Sequence, residues 1–242
     1  MDTDSRCPIC DKTGIFNSPD DFYSCRDGYR ADWCPLGRCI TRERAIARVL
    51  FGMHPRQAIQ GLAVHEAAPT GRGLTSWLKE NCPDYVQTGY FPDLPLGEMR
   101  GNLRNEDLER QTFSDRRFDI VLHLDVMEHM FEPFRALNEI HRTLRPGGHC
   151  LFTAPTVPAQ LKSTQVAFRG DNCSVRIVGE PEYHGNPQHP EEGSLVTWRY
   201  GYDLPRLIVS ETPFDVEVRR WQAPGIAVMG YMTEVYILTR IR

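Results

Sequence analysis

The sequence has no long apolar run: nothing in its 242 residues approaches the roughly 18 consecutive apolar residues that a membrane-spanning helix needs. The opening stretch, Met1 to Arg6, is polar and lacks the apolar centre of a signal peptide. A basic surplus is missing too. The chain carries 28 Lys and Arg against 32 Asp and Glu, a formal net charge of −4. That balance offers no broad cationic face and argues against duplex nucleic acid as a partner. These absences point to a cytoplasmic protein without a membrane span. What is present, 40% hydrophobic and 25% charged residues, is ordinary globular composition. The length suits one large α/β domain with a small companion.

Cysteine is plentiful and uneven. Five of the eight lie in the first 39 residues (Cys7, Cys10, Cys25, Cys34 and Cys39), while Cys82, Cys150 and Cys173 are scattered. In a reducing compartment they are expected to be metal ligands or buried thiols rather than disulfides. Cys7-Pro-Ile-Cys10 is a C-x-x-C hook, and Cys34-Pro-Leu-Gly-Arg-Cys39 is a wider C-x4-C hook, with 23 residues between them. Two such hooks can close a tetrahedral four-sulfur zinc site, here Cys7, Cys10, Cys34 and Cys39. Cys25 is a spare that can replace Cys34 or Cys39. The alternative is a set of reduced, partly buried thiols without metal. A module of about 40 residues has little core of its own, which favours a metal staple. No βαβ pattern surrounds the C-x-x-C as a thioredoxin-like redox site would require.

These features divide the chain into a cysteine-rich module at 1–40, a connecting helix within 41–58, and a main domain at 59–242. The helix is expected from Thr41, as N-cap, to about Phe51, with Ala45, Ile46, Val49 and Leu50 on its apolar side. The main domain alternates strand and helix signals. Strands are expected at Ile59–Val64, Tyr85–Phe91, Phe118–Leu124 and Cys150–Thr153, and helices at Leu74–Asn81 and Glu132–Leu144. Leu204–Val209 reads as a helix, Val216–Val218 as a strand, and Val228–Leu238 as the last hairpin. Such alternation predicts a mostly parallel, doubly wound sheet.

The stretch Phe118-Asp-Ile-Val-Leu-His-Leu-Asp-Val-Met-Glu-His129, followed by Pro133, Ala136, Leu137, Glu139, Ile140, Arg142 and Arg145-Pro-Gly-Gly148, resembles the class I S-adenosylmethionine (SAM) methyltransferases. The resemblance implies an α/β fold with a Rossmann-like seven-stranded methyltransferase sheet, SAM as cofactor, and methyl transfer as the activity. It also implies cofactor contacts. The loop after the first strand puts His65 or Glu66 at the family's acidic position and Ala67, Pro69 and Gly71 at its glycines, so that only Gly71 is kept. Proline there removes a backbone donor. The end of the second strand offers Tyr90. In Asn105-Glu106-Asp107-Leu108, Asp107 takes the place of the acid beside the adenine, with Leu108 next to it. Leu124 closes the motif strand at the cofactor's edge.

SAM already carries an activated methyl group, so the protein must align a nucleophile and, for an oxygen, remove a proton. Asp125, Glu128 and His129 follow the motif strand at the carboxyl edge, where open α/β sheets bind ligands. His129 is the leading general-base candidate, because histidine exchanges protons near neutral pH. Asp125-x-x-Glu128-His129 also resembles the metal-binding E-x-x-E-H stretch of ubiquinone-pathway O-methyltransferases. The segment at about 156–203 is expected to carry the substrate. Its polar, turn-rich stretch Glu180–Pro187 offers Tyr183, His184 and Asn186 to a small polyhydroxylated, sugar-like molecule, with His184 as a second catalytic candidate. Two readings stand: an O- or N-methyltransferase acting on a polar small molecule, and a catalytically silent SAM-fold protein that binds a ligand or protein partner.

Overall fold

A computed structural model describes residues 3–19, 21–36, 38–186 and 191–241. Gly37 of the second cysteine hook and Pro187 of the polar stretch lie outside them. The order opens with a hairpin, β1 (Thr3–Arg6) and β2 (Thr13–Phe16), and a one-turn helix at Cys25–Gly28. Helix α1 (Thr41–Met53) leads to β3 (Ala63–Ala67), α2 (Gly73–Asn81) and β4 (Asp84–Gly89). Next come β5 (Met99–Arg100), β6 (Leu103–Asn105), β7 (Phe118–Leu124), α3 (Pro133–Thr143) and β8 (Leu144–Thr153). After a stretch of short hairpins, α4 (Leu204–Glu211), β9 (Asp215–Arg219) and β10 (Val235–Thr239) complete the chain.

The main sheet has eight strands in the order β9-β10-β8-β7-β3-β4-β6-β5. The strands β6, β4, β3, β7 and β8 run parallel, whereas β10 is antiparallel to β8 and β9 to β10. The parallel core and antiparallel edge make this a Rossmann-like sheet of the expected kind. The eighth strand is β5, two residues folded back onto β6 through a turn at Gly101, which has φ +61°.

Strand alternation sorts the core onto two faces. Ile120, Leu122, Leu151 and Ile237 point to the side covered by α1, α2 and the cysteine-rich segment. Val121, Cys150, Phe152, Tyr236 and Leu238 point to the side covered by α3 and α4. The module's buried residues Cys7, Ile9, Phe16 and Tyr29 are therefore continuous with the first of these cores.

Arg44 of α1 is fully buried and stitches that side together. It donates to the carbonyls of Tyr29, Cys39 and Ala227 and to Thr41 Oγ1, and it lies 4.8 Å from the Phe16 ring centroid. One charged group thus satisfies carbonyls from three segments that burial would otherwise leave unpaired.

Several expected boundaries shift. The run Ile59–Val64 is not the first strand: Arg56–Ile59 is a helical turn, and β3 begins at Ala63. Thr41 is not the N-cap of α1 but its first helical residue. Its hydroxyl donates to Cys25 O, while Glu43 accepts from the Ile40 backbone N–H at 2.7 Å, half of a capping box. Strand β8 starts at Leu144, with Arg145–Gly148 absorbed as an irregularity between the pairs Phe118–Leu144 and Ile120–His149. Strand β6 has no apolar signature. It is held by Asn105, whose side chain accepts from Phe91 N and donates to the carbonyls of Phe91 and Leu94. Among the described residues no helix is long and apolar enough to cross a membrane.

Candidate active site

The carboxyl ends of β3, β4, β6 and β7 lie side by side, and the loops leaving them carry the residues singled out above. At the end of β3, His65 and Glu66 face opposite sides. His65 is fully buried against Phe113 and Phe118 and shares a hydrogen bond of 2.8 Å with Thr88 Oγ1, and burial pulls its pKa down to about 3. Glu66 accepts from Thr75 Oγ1 at 2.8 Å and from the Tyr85 hydroxyl. Burial outweighs these bonds and pushes its carboxyl up to about 7.

In the following loop the left-handed backbone falls at Ala68 (φ +51°), Gly71 (φ +73°) and Gly73 (φ +52°). Ala67, placed at a glycine position by the sequence pattern, is simply the last, buried residue of β3. Ala68, not singled out in the sequence, adopts a conformation that favours glycine. A Cβ on Gly71 would meet nothing within 4 Å, which leaves room for an approaching ligand. Gly73 serves a different purpose. A Cβ there would come within 2.8 Å of Cys39 Cβ, and its N–H donates to Leu36 O at 2.6 Å. The cysteine hook therefore sits directly on the start of α2.

At the ends of β4 and β6, Tyr90 is exposed, Asp107 is half-buried and Leu108 is buried. Asp107 Oδ1 accepts from Glu109 N at 2.9 Å in an Asx turn. Burial and Asp107 are the leading causes that raise the Tyr90 pKa, so the two side chains share one environment.

After β7, the partly buried Leu124 leads to Asp125, a non-glycine residue at φ +49°. Its Oδ1 accepts from Thr153 Oγ1 at 2.6 Å. Its Oδ2 pairs with Arg26 at 2.5 Å and with Arg42. Arg26 and Arg42 also pair with Asp27. Burial, then the neighbouring Arg26, pull Arg42 down to about 10. Neither arginine was a site candidate, because nothing local in the sequence links residues 26 and 42 to residue 125. Asp125 is thereby committed to the N-terminal segment.

Glu128 and His129 lie in a single helical turn, Met127–His129. The segment around 194–197 packs onto it: the Thr197 N–H donates to Glu128 O at 2.7 Å, and Leu195 O lies 2.9 Å from His129 Nδ1. Ser194–Leu195 pairs with Tyr183–His184, which carries His184 to the same spot. His129 Nε2 and His184 Nδ1 each lie 3.7 Å from Glu128 Oε1. The Glu128 carboxylate is the chief cause that raises the His184 pKa. Tyr183 next to it is exposed, and Asn186 Nδ2 donates to Ser194 Oγ at 3.0 Å. The two catalytic candidates, 55 positions apart in the sequence, are neighbours in space. The two clefts that stand out by shape, one lined by residues of 220–234 and one by Glu109, Arg110 and the outer side of α3, hold none of these groups.

A second donor cluster lies in the module. The thiols of Cys7, Cys10 and Cys34 lie within 4.8 Å of one another, and Cys39 Sγ is 3.7 Å from Cys7 Sγ and 4.0 Å from Cys34 Sγ. Sulfurs at about 2.3 Å from a tetrahedral zinc stand roughly 3.8 Å apart, so the spacing fits that ion. Cys25 is outside the cluster, with its thiol against Ser18 and Asp21.

Residues 77–152 match the family model described as Methyltransferase domain. No curated protein matches the chain at a significant level. Among solved structures the chain is similar to the sugar N-methyltransferase KedS8 from a Streptoalloteichus species, at 16% identity over 84% of this chain and 87% of that one, with a TM-score of 0.53. It is also similar to the glycopeptide N-methyltransferase MtfA in complex with S-adenosyl-L-homocysteine, at 17% identity over 83% of this chain and 89% of that one, with a TM-score of 0.51. At such identities the likeness speaks to the fold. The family match runs from within α2 to the end of β8, the part that builds the carboxyl edge of the sheet. Match and fold together make residues 77–152 similar to a methyltransferase domain, set in a sheet of the kind that solved SAM-dependent methyltransferases share.

Proposed function

We propose that the protein transfers a methyl group from SAM to an oxygen or nitrogen of a small, polar, sugar-like substrate. The observation that carries this reading is the convergence of Glu128, His129 and His184 at the carboxyl end of β7, beside the paired strands Tyr183–His184 and Ser194–Leu195. In this reading SAM lies over the loop from Ala67 to Gly71, with Leu124 at its methionine end and Tyr90, Asp107 and Leu108 around its ribose and adenine. Asp107 keeps Oδ2 for the adenine amino group. The acceptor sits between the sulfonium and the Glu128 cluster, where Glu128 and the free Nε2 of His129 accept the nucleophile's proton. Tyr183 and Asn186 bind substrate hydroxyls. The substrate class draws support from the sugar and glycopeptide N-methyltransferases of similar fold. Asp125 takes a supporting role, fixing the edge of the crevice through Arg26, Arg42 and Thr153.

Cys7, Cys10, Cys34 and Cys39 hold one structural zinc ion, and Arg44 Nη1, 3.5 Å from Cys39 Sγ, steadies the charge of that thiolate. Because Leu36 and Cys39 rest on Gly73, the zinc hook also braces the start of α2.

The test is methyl transfer from labelled SAM to a panel of amino sugars and sugar nucleotides, beside calorimetric binding of S-adenosylhomocysteine. Product formation on a sugar supports the reading. The silent reading draws on the loss of glycine at Ala68 and on the arginine-locked Asp125. Binding of S-adenosylhomocysteine without turnover of any acceptor favours it, and no binding at millimolar ligand overturns the SAM assignment.

A further inference from the structure

We infer that Glu128, His129 and His184 form a binding site for a divalent transition-metal cation. Glu128 is 1% exposed, yet among the described residues neither carboxylate oxygen has a hydrogen-bond partner. A buried carboxylate left so is costly unless a cation meets it. Arg42 feels the Glu128 charge, but its ion pairs, like those of Arg26, go to Asp27 and Asp125 and leave the Glu128 oxygens without a direct partner.

The two histidines are oriented as ligands. Leu195 O can only accept, so His129 carries its proton on Nδ1 and, as a neutral ring, presents the lone pair of Nε2. His184 Nε2 lies 3.3 Å from Glu182 Oε1 and donates to it, so in the neutral ring, the form a cation would bind in place of the second proton, Nδ1 carries the lone pair. In both rings the free nitrogen is the one that faces Glu128 Oε1, at 3.7 Å. A carbonyl or carboxylate behind each metal-facing imidazole is the support that metal sites use. The 3.7 Å separation exceeds the ~2.7–3.2 Å of a direct hydrogen bond. It is a few tenths wider than the roughly 3.0–3.4 Å between ligands placed about 2.1 Å from a shared ion, a gap that small side-chain rotations close. All three donor atoms lie within 4.8 Å of one another.

One carboxylate and two imidazoles suit Zn²⁺, Mn²⁺, Fe²⁺ or Co²⁺ and leave positions open for oxygen donors such as adjacent substrate hydroxyls. In the loaded protein His129 is a ligand, so proton removal falls to Glu128 Oε2. The cation also ties the Tyr183–His184 strand to the motif turn. It lies on the acceptor side of the proposed methyl-transfer centre; its catalytic use rests on that activity, but its binding does not.

The test is titration of the full chain, as purified with its own metal content measured, with Co²⁺, followed by calorimetry and visible absorption. The expected result is one Co²⁺ per chain with ligand-field bands and no thiolate charge-transfer band, which separates this site from the cysteine cluster. Glu128→Gln and His184→Ala each weaken that binding at least tenfold. His184 is on a partly exposed strand, so its variant keeps the melting temperature of the metal-free protein. Glu182→Gln, which removes only the support behind His184, weakens binding by about tenfold. Absence of Co²⁺ binding other than with a thiolate band, or unchanged binding in both ligand variants, overturns the inference. Intact Co²⁺ binding without methyl transfer or S-adenosylhomocysteine binding counts against the enzymatic reading alone.

Discussion

The molecule holds two clusters of soft or borderline donors, and they are built in opposite ways. The thiol cluster draws on two hooks of its own module, each spanning a few residues, and its spacing follows from turn geometry within the hook. The Glu128 cluster draws one histidine from the turn after β7 and the other from a short hairpin beyond β8. The first has four like donors and packs against the core on one face of the sheet, with Cys7, Cys34 and Cys39 buried and Cys10 partly so. The second has mixed oxygen and nitrogen donors and rests at the carboxyl edge, beside the paired strands Tyr183–His184 and Ser194–Leu195. A closed four-sulfur site suits structure, while a three-donor site with open positions suits chemistry. Position in the fold and donor type therefore agree, although the two clusters share no sequence logic.

That contrast is sharpest in activity. His129→Ala is expected to lower kcat by about 10²–10⁴ while leaving S-adenosylhomocysteine affinity nearly unchanged. Steady-state kinetics beside calorimetry measure both. A variant of almost full activity removes His129 from the chemistry both as base and as ligand.

On the structural side, Cys7→Ser is expected to drop zinc from one per chain to well below that and to cost at least about 3 kcal/mol in guanidinium unfolding, since structural zinc lends its binding free energy to folding. Cys25→Ser, whose thiol faces Ser18 and Asp21, should retain the full zinc content by elemental analysis. Equal zinc in both variants would break the assignment.

A third test concerns the proposed cofactor edge. Asp107→Asn keeps Oδ1 as acceptor for the Glu109 N–H and so spares the turn. It is expected to weaken S-adenosylhomocysteine binding by about 1–3 kcal/mol in calorimetry through loss of the charged acceptor. An unchanged affinity would move the adenine elsewhere.

A last effect, which leaves both clusters untouched, is in pH. Burial holds His65 and His123 at about 3, against 6.5 for the ordinary side chain. Below pH 6.5 the unfolded chain binds protons that the folded chain refuses. The stability tied to each histidine is thus full above pH 6.5 and falls toward pH 3, by about 1.4 kcal/mol per unit. Glu66 runs the other way. Held at about 7 against 4.5, its contribution is full below pH 4.5 and is lost as pH rises toward 7. Between 4.5 and 6.5 two histidines outweigh one carboxyl, so these groups still make stability rise with pH, at half the slope they give below 4.5. Glu66→Gln should double their slope in that window, as read from urea unfolding at a series of pH values.

Much of this architecture is written locally. The alternation at 118–153 specifies β7, α3 and β8, because buried parallel strands and an amphipathic helix leave different apolar periods. Four of the five early cysteines were legible as a set from their hooks, and their thiols do gather in the structure. Gly71 was legible as a backbone requirement, and its φ of +73° bears that out. Strand β6 was not legible, since Leu103–Asn105 owes its place to the Asn105 hydrogen bonds rather than to apolar residues. Nor was Gly73, whose missing side chain answers to Cys39 and Glu43, more than 29 positions away.

By itself, then, the sequence determined the strand-and-helix pattern, the thiol set and the edge of the sheet where chemistry is placed, because each depends on contacts among near neighbours in the chain. Tertiary structure alone decided that His184 meets Glu128 and that Arg26 and Arg42 claim Asp125. Those meetings depend on which hairpin closes over the β7 turn and on how the module packs against the sheet. Both follow from burying apolar surface across the whole fold, a quantity that no local spacing encodes.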